Sequence, residues 1–285
     1  MSEDQPVTVT EDGLRETTYL EAIRDAMREE MQRDDTVFIL GEDIGVYGGA
    51  FKITDGFLAE FGPDRVIDTP ISEAAIVGAA IGAAHMGMRP IAEMQFIDFI
   101  APAFDMIVNF AAKSRYRTGI GAGIVIRGPC GGGSRSGPFH SQNVESFFAN
   151  VPGLKMVAPA TASDAKGLLT AAIRDPDPVL YFEHKFLYRR VKEMLAVGEE
   201  IVVPIGKART HRPGSDLTIV TYGAMVWKSA EAADVVSRKD GREIEVIDLR
   251  TIRPLDIDTI VESVQRTGRL LIVHEAPKFG GFAGE

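Results

Sequence analysis

Short, continuously apolar runs alternate with longer helix-forming stretches along most of this 285-residue chain. "TVFILGED", "RVIDTP", "RPIAEMQF", "GIVIRGP", "LKMVAPA" and "PVLYFEH" leave little room for a wetted face. They read as strands covered on both sides. Between them lie "TTYLEAIRDAMREEMQRDD", with Leu20, Ile23, Met27 and Met31 on one face, a small-residue helix after residue 72, a helix through "APAFDMIVNFAAKSRY", and "ASDAKGLLTAAIRD". Strand and helix in this order specify a parallel sheet with helices on both faces. No period suggests a solenoid or propeller.

The alternation lapses near residues 189–215, which reads as a linker, placed at 191–213. A second α/β unit follows: "DLTIVTYG", a helix ended by Gly241, "EIEVIDLR", the helical "LDIDTIVESVQRTG" and "RLLIVHEA". The expected organisation is an acidic tail over 1–15, an α/β domain over 16–190, the linker, and a second α/β domain over 214–285. The Gly-rich turn "PKFGGFAGE" should lead into another helix, so the second domain reads as truncated.

Charge and cysteine content narrow the function classes. A net charge of −10 argues against general binding to nucleic acid or an anionic membrane. The longest apolar stretch, around 74–84, is too short and too rich in Gly and Ala to span a bilayer. The single cysteine, Cys130, forbids an intrachain disulfide and suits a reducing compartment. The acidic, polar start resembles neither a secretory signal nor a transit peptide. A cytoplasmic protein is expected.

In open α/β sheets, ligands bind beyond the carboxyl ends of the strands. Glu42, Glu73, Gln95 and Asp98 fall there, and His140 lies in the loop after the fourth run. Each has an ordinary reading. Glu42 suits a turn or cap, Gln95 can satisfy backbone groups, and an acid at a helix start such as Glu73 complements the macrodipole. Cys130 reads as structural, as do His85, His184, His211 and His274. "CGGGSRSGPFHSQ" lacks the ending of a P-loop, though its glycines let backbone approach a ligand closely. No nucleophile elbow, zincin motif or zinc spacing is present. In "EAAIVGAAIGAAHMG", Gly78 and Gly82 share a helix face. That face suits packing within the chain or a subunit interface that delivers Glu73 to a shared site.

Glu73, Gly78 and Gly82 at this spacing resemble the pyrimidine-binding signature of thiamine-diphosphate enzymes. "LGEDIGVYGGAFKITDGF", "DTPISEAAIVGAAIG", "FHSQ…ESFFANVPGLKMVAPA", "EVIDLRTIRPLD" and "HEAPKFGGF" extend the likeness over nearly the whole chain beyond the tail. Together they resemble the β subunit of the decarboxylating component of 2-oxo acid dehydrogenase complexes. "AEMQFIDFIAPAFD" and "FLYR" are most similar to the branched-chain (2-oxoisovalerate) type, with pyruvate and acetoin types near.

The resemblance implies a transketolase-like pyrimidine-binding domain followed by a transketolase-type C-terminal domain. It implies thiamine diphosphate as cofactor and oxidative decarboxylation of a 2-oxo acid, with acyl transfer to lipoyl-lysine. The acid matching Glu73 hydrogen-bonds N1′ of the aminopyrimidine and favours its imino form, which deprotonates thiazolium C2. An apolar pocket suits this, because desolvation favours a shared proton over a bare carboxylate. Ile71, Gln95 and Phe99 would line the pyrimidine pocket. Phe99 stands where the branched-chain type commonly has tyrosine, so a hydroxyl contact is lost. His140 would face the reacting carbon. A structural potassium ion would rest on carbonyls around Ile124, Val125, Ala172, Asp175 and Asp177.

The family's diphosphate and Mg2+ motif, Gly-Asp-Gly followed by paired asparagines, belongs to the α subunit and is absent from this sequence. The implied partners are that α subunit in an α2β2 heterotetramer, a second β subunit, and the lipoyl and peripheral-subunit-binding domains of the acyltransferase. An acetoin dehydrogenase β subunit and a non-catalytic, truncated scaffold are the competing readings. A stand-alone transketolase is disfavoured by the missing motif.

Overall fold

The alternation closes into two main sheets in a computed structural model, which describes residues 9–285; the first eight residues of the expected acidic tail lie outside them. β1 (Leu14–Thr18) leads into α1 (Tyr19–Arg33). Thr18 and Glu21 form a reciprocal capping box that satisfies two N–H groups at the helix start. β2 (Val37–Gly41), α2 (Phe57–Phe61), β3 (Val66–Asp68), α3 (Glu73–His85) and β4 (Arg89–Glu93) follow. Then come α4 (Ser114–Thr118), β5 (Val125–Cys130), β6 (Lys155–Val157), α5 (Ala162–Arg174) and β7 (Val179–His184). The remainder is β8 (Lys192–Ala196), β9 (Arg209–Arg212), β10 (Leu217–Thr221), α6 (Ala224–Asp240), β11 (Ile244–Asp248), β12 (Thr251–Arg253), α7 (Ile257–Thr267) and β13 (Leu270–Ile272).

The large sheet has strand order β12-β6-β7-β5-β4-β2-β3, and all its neighbours are parallel except β12 with β6. Helices α1 and α5 cover one face through Ile23, Met27, Leu168 and Leu169. Helix α3 and the stretch after β4 cover the other through Ile76, Val77, Ile97 and Ile107. The second sheet runs β13-β10-β11-β9, with β9 antiparallel. The α/β class with mainly parallel sheets is therefore as the sequence implies. No helix among the described residues is long and apolar enough to cross a membrane.

Three stretches differ from expectation. Residues 97–118 do not form one helix: a 3-10 turn at Ile97–Ala103 gives way to a π-helical turn at Met106–Ala111 and then to α4. Pro102 lies inside this stretch and has no N–H to continue a regular helix. The expected linker carries two strands. β8 pairs antiparallel with β1, and β9 with β11. Finally, β12 comes from the second half of the chain but adds to the first sheet beside β6. Val220, Tyr222, Ile247 and Leu249 likewise share a buried cluster with Leu180 and Phe182, so one core spans both halves.

An ion cluster lies across the same junction. Arg209 Nη2 lies 2.9 Å from Asp164 and 3.7 Å from buried Asp248, and Arg250 Nη1 lies 3.2 Å from Asp164. Burial first, and then the charge of Asp164, push the Asp248 carboxyl up to about 7. Its proton therefore favours the folded state. That contribution is full below the ordinary value of 3.8 and is lost as pH rises through about 7. Asp248→Asn, which keeps the acceptor for the Arg250 N–H, is expected to flatten this part of the stability profile. Relative to wild type it should gain up to about 4 kcal/mol between pH 4 and pH 8, measured by urea unfolding at both pH values.

At the centre of the large sheet, fully buried Arg127 of β5 pairs with Glu93 of β4 and, at 2.6 Å, with Glu183 of β7. Removing the arginine leaves two carboxylates buried without their cation. Arg127→Met should cost about 3–5 kcal/mol and lower the thermal midpoint by roughly 6–20 °C. Adding Glu93→Gln and Glu183→Gln should restore much of that loss. Thermal melts followed by circular dichroism check both statements.

Candidate active site

Strands β3, β2 and β4 are successive neighbours, so residues just beyond their carboxyl ends must share one rim of the sheet. Glu42 follows β2, Gln95 lies two residues beyond β4, and Glu73 begins α3 a short turn after β3. With neighbouring strands about 4.8 Å apart, the rim spans about 10 Å from β3 to β4. The turn is enforced locally. Pro70 cannot continue the ladder, and the Thr69 N–H donates back to the Gly41 carbonyl at 2.9 Å. The Ser72 side chain caps nothing.

Glu42 is buried beside the start of α3, near the Ser72 backbone. It is near enough to Glu73 for the two charges to act on each other. Burial first, and then the charge of Glu73, raise the Glu42 carboxyl above the usual range, against the Ser72 N–H. Only the fold brings together residues 31 positions apart in the chain.

Gln95 is partly buried, and its Nε2 donates to Asp43 Oδ2 at 3.0 Å. His140 reaches the same rim from the loop after β5. Its ring meets Phe96 edge-on at a centroid distance of 4.5 Å and Phe99 at 5.5 Å. Phe51 packs on Phe96 at 5.5 Å from the other side. Buried Asp98 ties the loop to this rim: its Oδ1 accepts from the Ser141 N–H at 3.2 Å and the Gln142 N–H at 3.0 Å. Phe96 and Phe51 carry no chemistry of their own, so nothing in the sequence marked them. Their contribution is a flat apolar wall for the imidazole.

Ile71 is 84% exposed beside Glu73, an unusual position for isoleucine. It continues an open face formed by Ala75, Ala79, Gly82 and Met86 on α3. An apolar groove of about 500 Å3 runs along that face and includes Phe38, Leu40, Ile67 and Ala79. Both readings of the glycines find an observation. A side chain at Gly78 would touch Met106 of this chain, whereas one at Gly82 would meet open space.

The residues named for potassium lie toward the opposite rim of the sheet, around the amino ends of the central strands β5 and β7. There the segment before β5 crosses Asp175–Asp177: a side-chain carbon at Gly123 would come within 3.0 Å of the Asp175 carbonyl. Several of these oxygens already have partners. The Ile124 carbonyl accepts from Val179, the Ala172 carbonyl from Asp175, and the Asp175 carbonyl from Arg89 Nη1 at 2.8 Å. The Asp175 and Asp177 carboxylates pair with Lys155 and Arg115. No group of three or more His, Cys, Asp or Glu side chains among the described residues could hold a metal ion.

Cys130 is buried, and burial raises its thiol well above the ordinary range, consistent with a structural thiol. His184 has a partner that spacing could not reveal: its Nε2 lies 2.7 Å from Glu275, 91 residues away.

Residues 15–191 match the family model "Transketolase, pyrimidine binding domain", and residues 206–285 match "Transketolase, C-terminal domain". The chain is 52% identical over 270 residues to the 2-oxoisovalerate dehydrogenase subunit beta of Bacillus subtilis (strain 168), covering 94% of this chain and 82% of that one. It is 47% identical to the pyruvate dehydrogenase E1 component subunit beta of Staphylococcus aureus (strain COL), with the same coverage. Among solved structures it resembles a split-gene transketolase described as an inactive beta4 tetramer, with a TM-score of 0.77 and 25% identity over 94% of this chain and 83% of the other. The sheet rim that assembles Glu42, Glu73, Gln95 and His140 is therefore that of a transketolase-like chain, and the protein belongs to the family of 2-oxo acid dehydrogenase β subunits.

Proposed function

We propose that the protein is the β subunit of a cytoplasmic 2-oxo acid dehydrogenase, acting on a branched-chain 2-oxo acid or pyruvate with thiamine diphosphate. The observation that carries this reading is the placement of Glu42, Glu73 and Gln95 beyond the carboxyl ends of neighbouring strands, where a small-residue helix begins beside an apolar face left open. The residues present suit an aminopyrimidine: an acid for a ring nitrogen, a side-chain amide at Gln95, and apolar walls from Ile71 and Phe99. When bound, the cofactor supplies the nucleophilic carbon and the electron sink for decarboxylation.

The chain's own residues do the rest. Glu73 holds a proton at N1′. Phe96 and Phe99 keep water from the His140 ring, which hydrogen-bonds near the reacting carbon during acyl transfer. In the net reaction the bond to the carboxylate breaks and CO2 leaves. The released electron pair reduces a lipoyl disulfide, one sulfur taking the acyl group and the other a proton.

An α subunit covers the open face of α3 and brings the Mg2+ and diphosphate ligands, in an α2β2 assembly with a second β subunit. The lipoyl and peripheral-subunit-binding domains of the acyltransferase are the further partners. A potassium ion belongs to the same proposal. It would use second lone pairs on the carbonyls of Ile124, Val125, Ala172, Asp175 and Asp177, in competition with the Arg89 guanidinium, and its role would be structural.

Two outcomes test this reading. The purified chain alone should bind thiamine diphosphate with Mg2+ weakly in calorimetry; tight stoichiometric binding without a partner would overturn the shared site. In the complex reconstituted with an α subunit, Glu73→Gln should slow exchange of the cofactor's C2 hydrogen at least about 100-fold with assembly intact. An unchanged exchange rate would return Glu73 to the role of a helix-start acid.

A further inference from the structure

The loop that carries His140 is closed at its neck, where the Gly131 N–H donates to the Gln142 carbonyl at 2.9 Å. Asp98 of the first domain holds the side nearest His140. The opposite root and the following shoulder are held from the second domain. Glu275, three residues beyond β13, accepts the Gly132 N–H on Oε1 at 2.6 Å. The Tyr222 hydroxyl, just beyond β10, donates to Glu145 Oε1 at 2.7 Å.

Glu275 is itself fixed. His184, the last residue of β7, lies 2.7 Å from its other oxygen through Nε2. The Phe186 N–H donates to His184 Nδ1 at 3.3 Å, which leaves Nε2 as the protonated nitrogen facing the carboxylate. Lys185 Nζ donates to the Gly131 carbonyl. Burial alone would raise the Glu275 carboxyl, but His184, the Gly132 N–H and Lys185 together hold it below the usual range. It is an ionised acceptor bridging a strand end and a loop root.

The three glycines of "CGGG" acquire a specific reason. A side chain at Gly131 (φ +81°) would overlap the His184 ring. At Gly133 (φ +85°) it would come within 2.7 Å of Phe186, and at Gly132 within 3.1 Å of Glu275 Oε1. Their small size lets the loop root close onto the His184–Glu275 pair rather than onto a ligand. The His140 ring is located by Phe96, Phe99 and the backbone of its loop, so whatever fixes both ends of the loop fixes the imidazole.

We propose that Glu275 and His184 form a clasp that positions His140 for acyl transfer, making the second domain part of the catalytic apparatus through its hold on this loop. The proposal rests on the reading of His140 given above. Both act through another residue, so both are positioning residues.

The test uses the complex reconstituted with an α subunit and two rates: decarboxylation with a dye as electron acceptor, which needs no lipoyl group, and acylation of a lipoyl domain. Glu275→Ala should lower acylation about 10- to 100-fold while the dye rate changes less than about threefold. His140→Ala should lower acylation at least as far, whatever it does to the dye rate, and the double variant should acylate no more slowly than the slower single variant. Glu275→Gln, whose carbonyl still accepts from Gly132, should recover part of the rate. If His140→Ala leaves acylation intact, the reading of His140 falls and the clasp with it. If His140→Ala impairs acylation but Glu275→Ala does not, or Glu275→Ala slows both rates equally, the clasp alone is overturned. Should Glu275→Ala fail to assemble, Tyr222→Phe and His184→Gln decide by the same ratio of the two rates.

Discussion

The buried guanidinium of Arg127 is the interaction around which the rest of the protein is arranged. It lies at the middle of the large sheet and draws a carboxylate from the strand on each side, Glu93 and Glu183. Such a group gains little net stability over a well-packed apolar core, but removing one partner leaves an uncompensated charge. Its main effect here is on register. Glu93 is followed by Met94, Gln95 and Phe96, and Glu183 by His184, so the three strands cannot slip without moving both the rim residues and the clasp. Burial raises the Glu93 carboxyl even beside Arg127, a measure of how dry this centre is.

The site is divided among elements that lie far apart in the chain. Glu73 comes from a turn after β3, Gln95 and the phenylalanine wall from beyond β4, and His140 from a loop after β5. That loop is tied on one side by Asp98 and on the other by residues of the second domain. β12 and the Asp164–Arg209–Asp248 cluster join the two halves across the same junction. The second domain thus contacts one root of the histidine loop, at Gly132, and the shoulder after it, at Glu145.

Most of the fold was legible in the sequence because continuous apolar runs and helical periodicity are local signals. The helix at 19–33 could be read from its apolar face, and the one ended by Gly241 from that glycine, which adopts φ +66°. Illegible parts depended on partners. β8 is a strand because β1 lies beside it, and β12 because the edge of β6 is open to it. The break at 97–118 follows from Pro102 and from packing against α3, and helical periodicity alone could not show it. In the site, Glu73, Gln95 and His140 could be singled out because they fall beyond the carboxyl ends of successive strands and match positions of the family's motifs. The Phe51–Phe96 wall and the His184–Glu275 pair could not, since an apolar ring or a lone histidine has the same local appearance in a core.

The sequence by itself determined the class of fold, the family, and the residue types offered at the rim. The fold class and the rim residues are properties of pattern and spacing along the chain, and the family is carried by the resemblance of its motifs. The tertiary structure alone decided that Glu42 lies near Glu73, that the glycines of the histidine loop close onto His184, Glu275 and Phe186, and that the second domain reaches the site. The physical reason is the same in each case. Proton affinity, close approach and hydrogen-bond geometry depend on separations of a few ångströms, and those are set by strand order and domain docking between residues 31 to 143 positions apart.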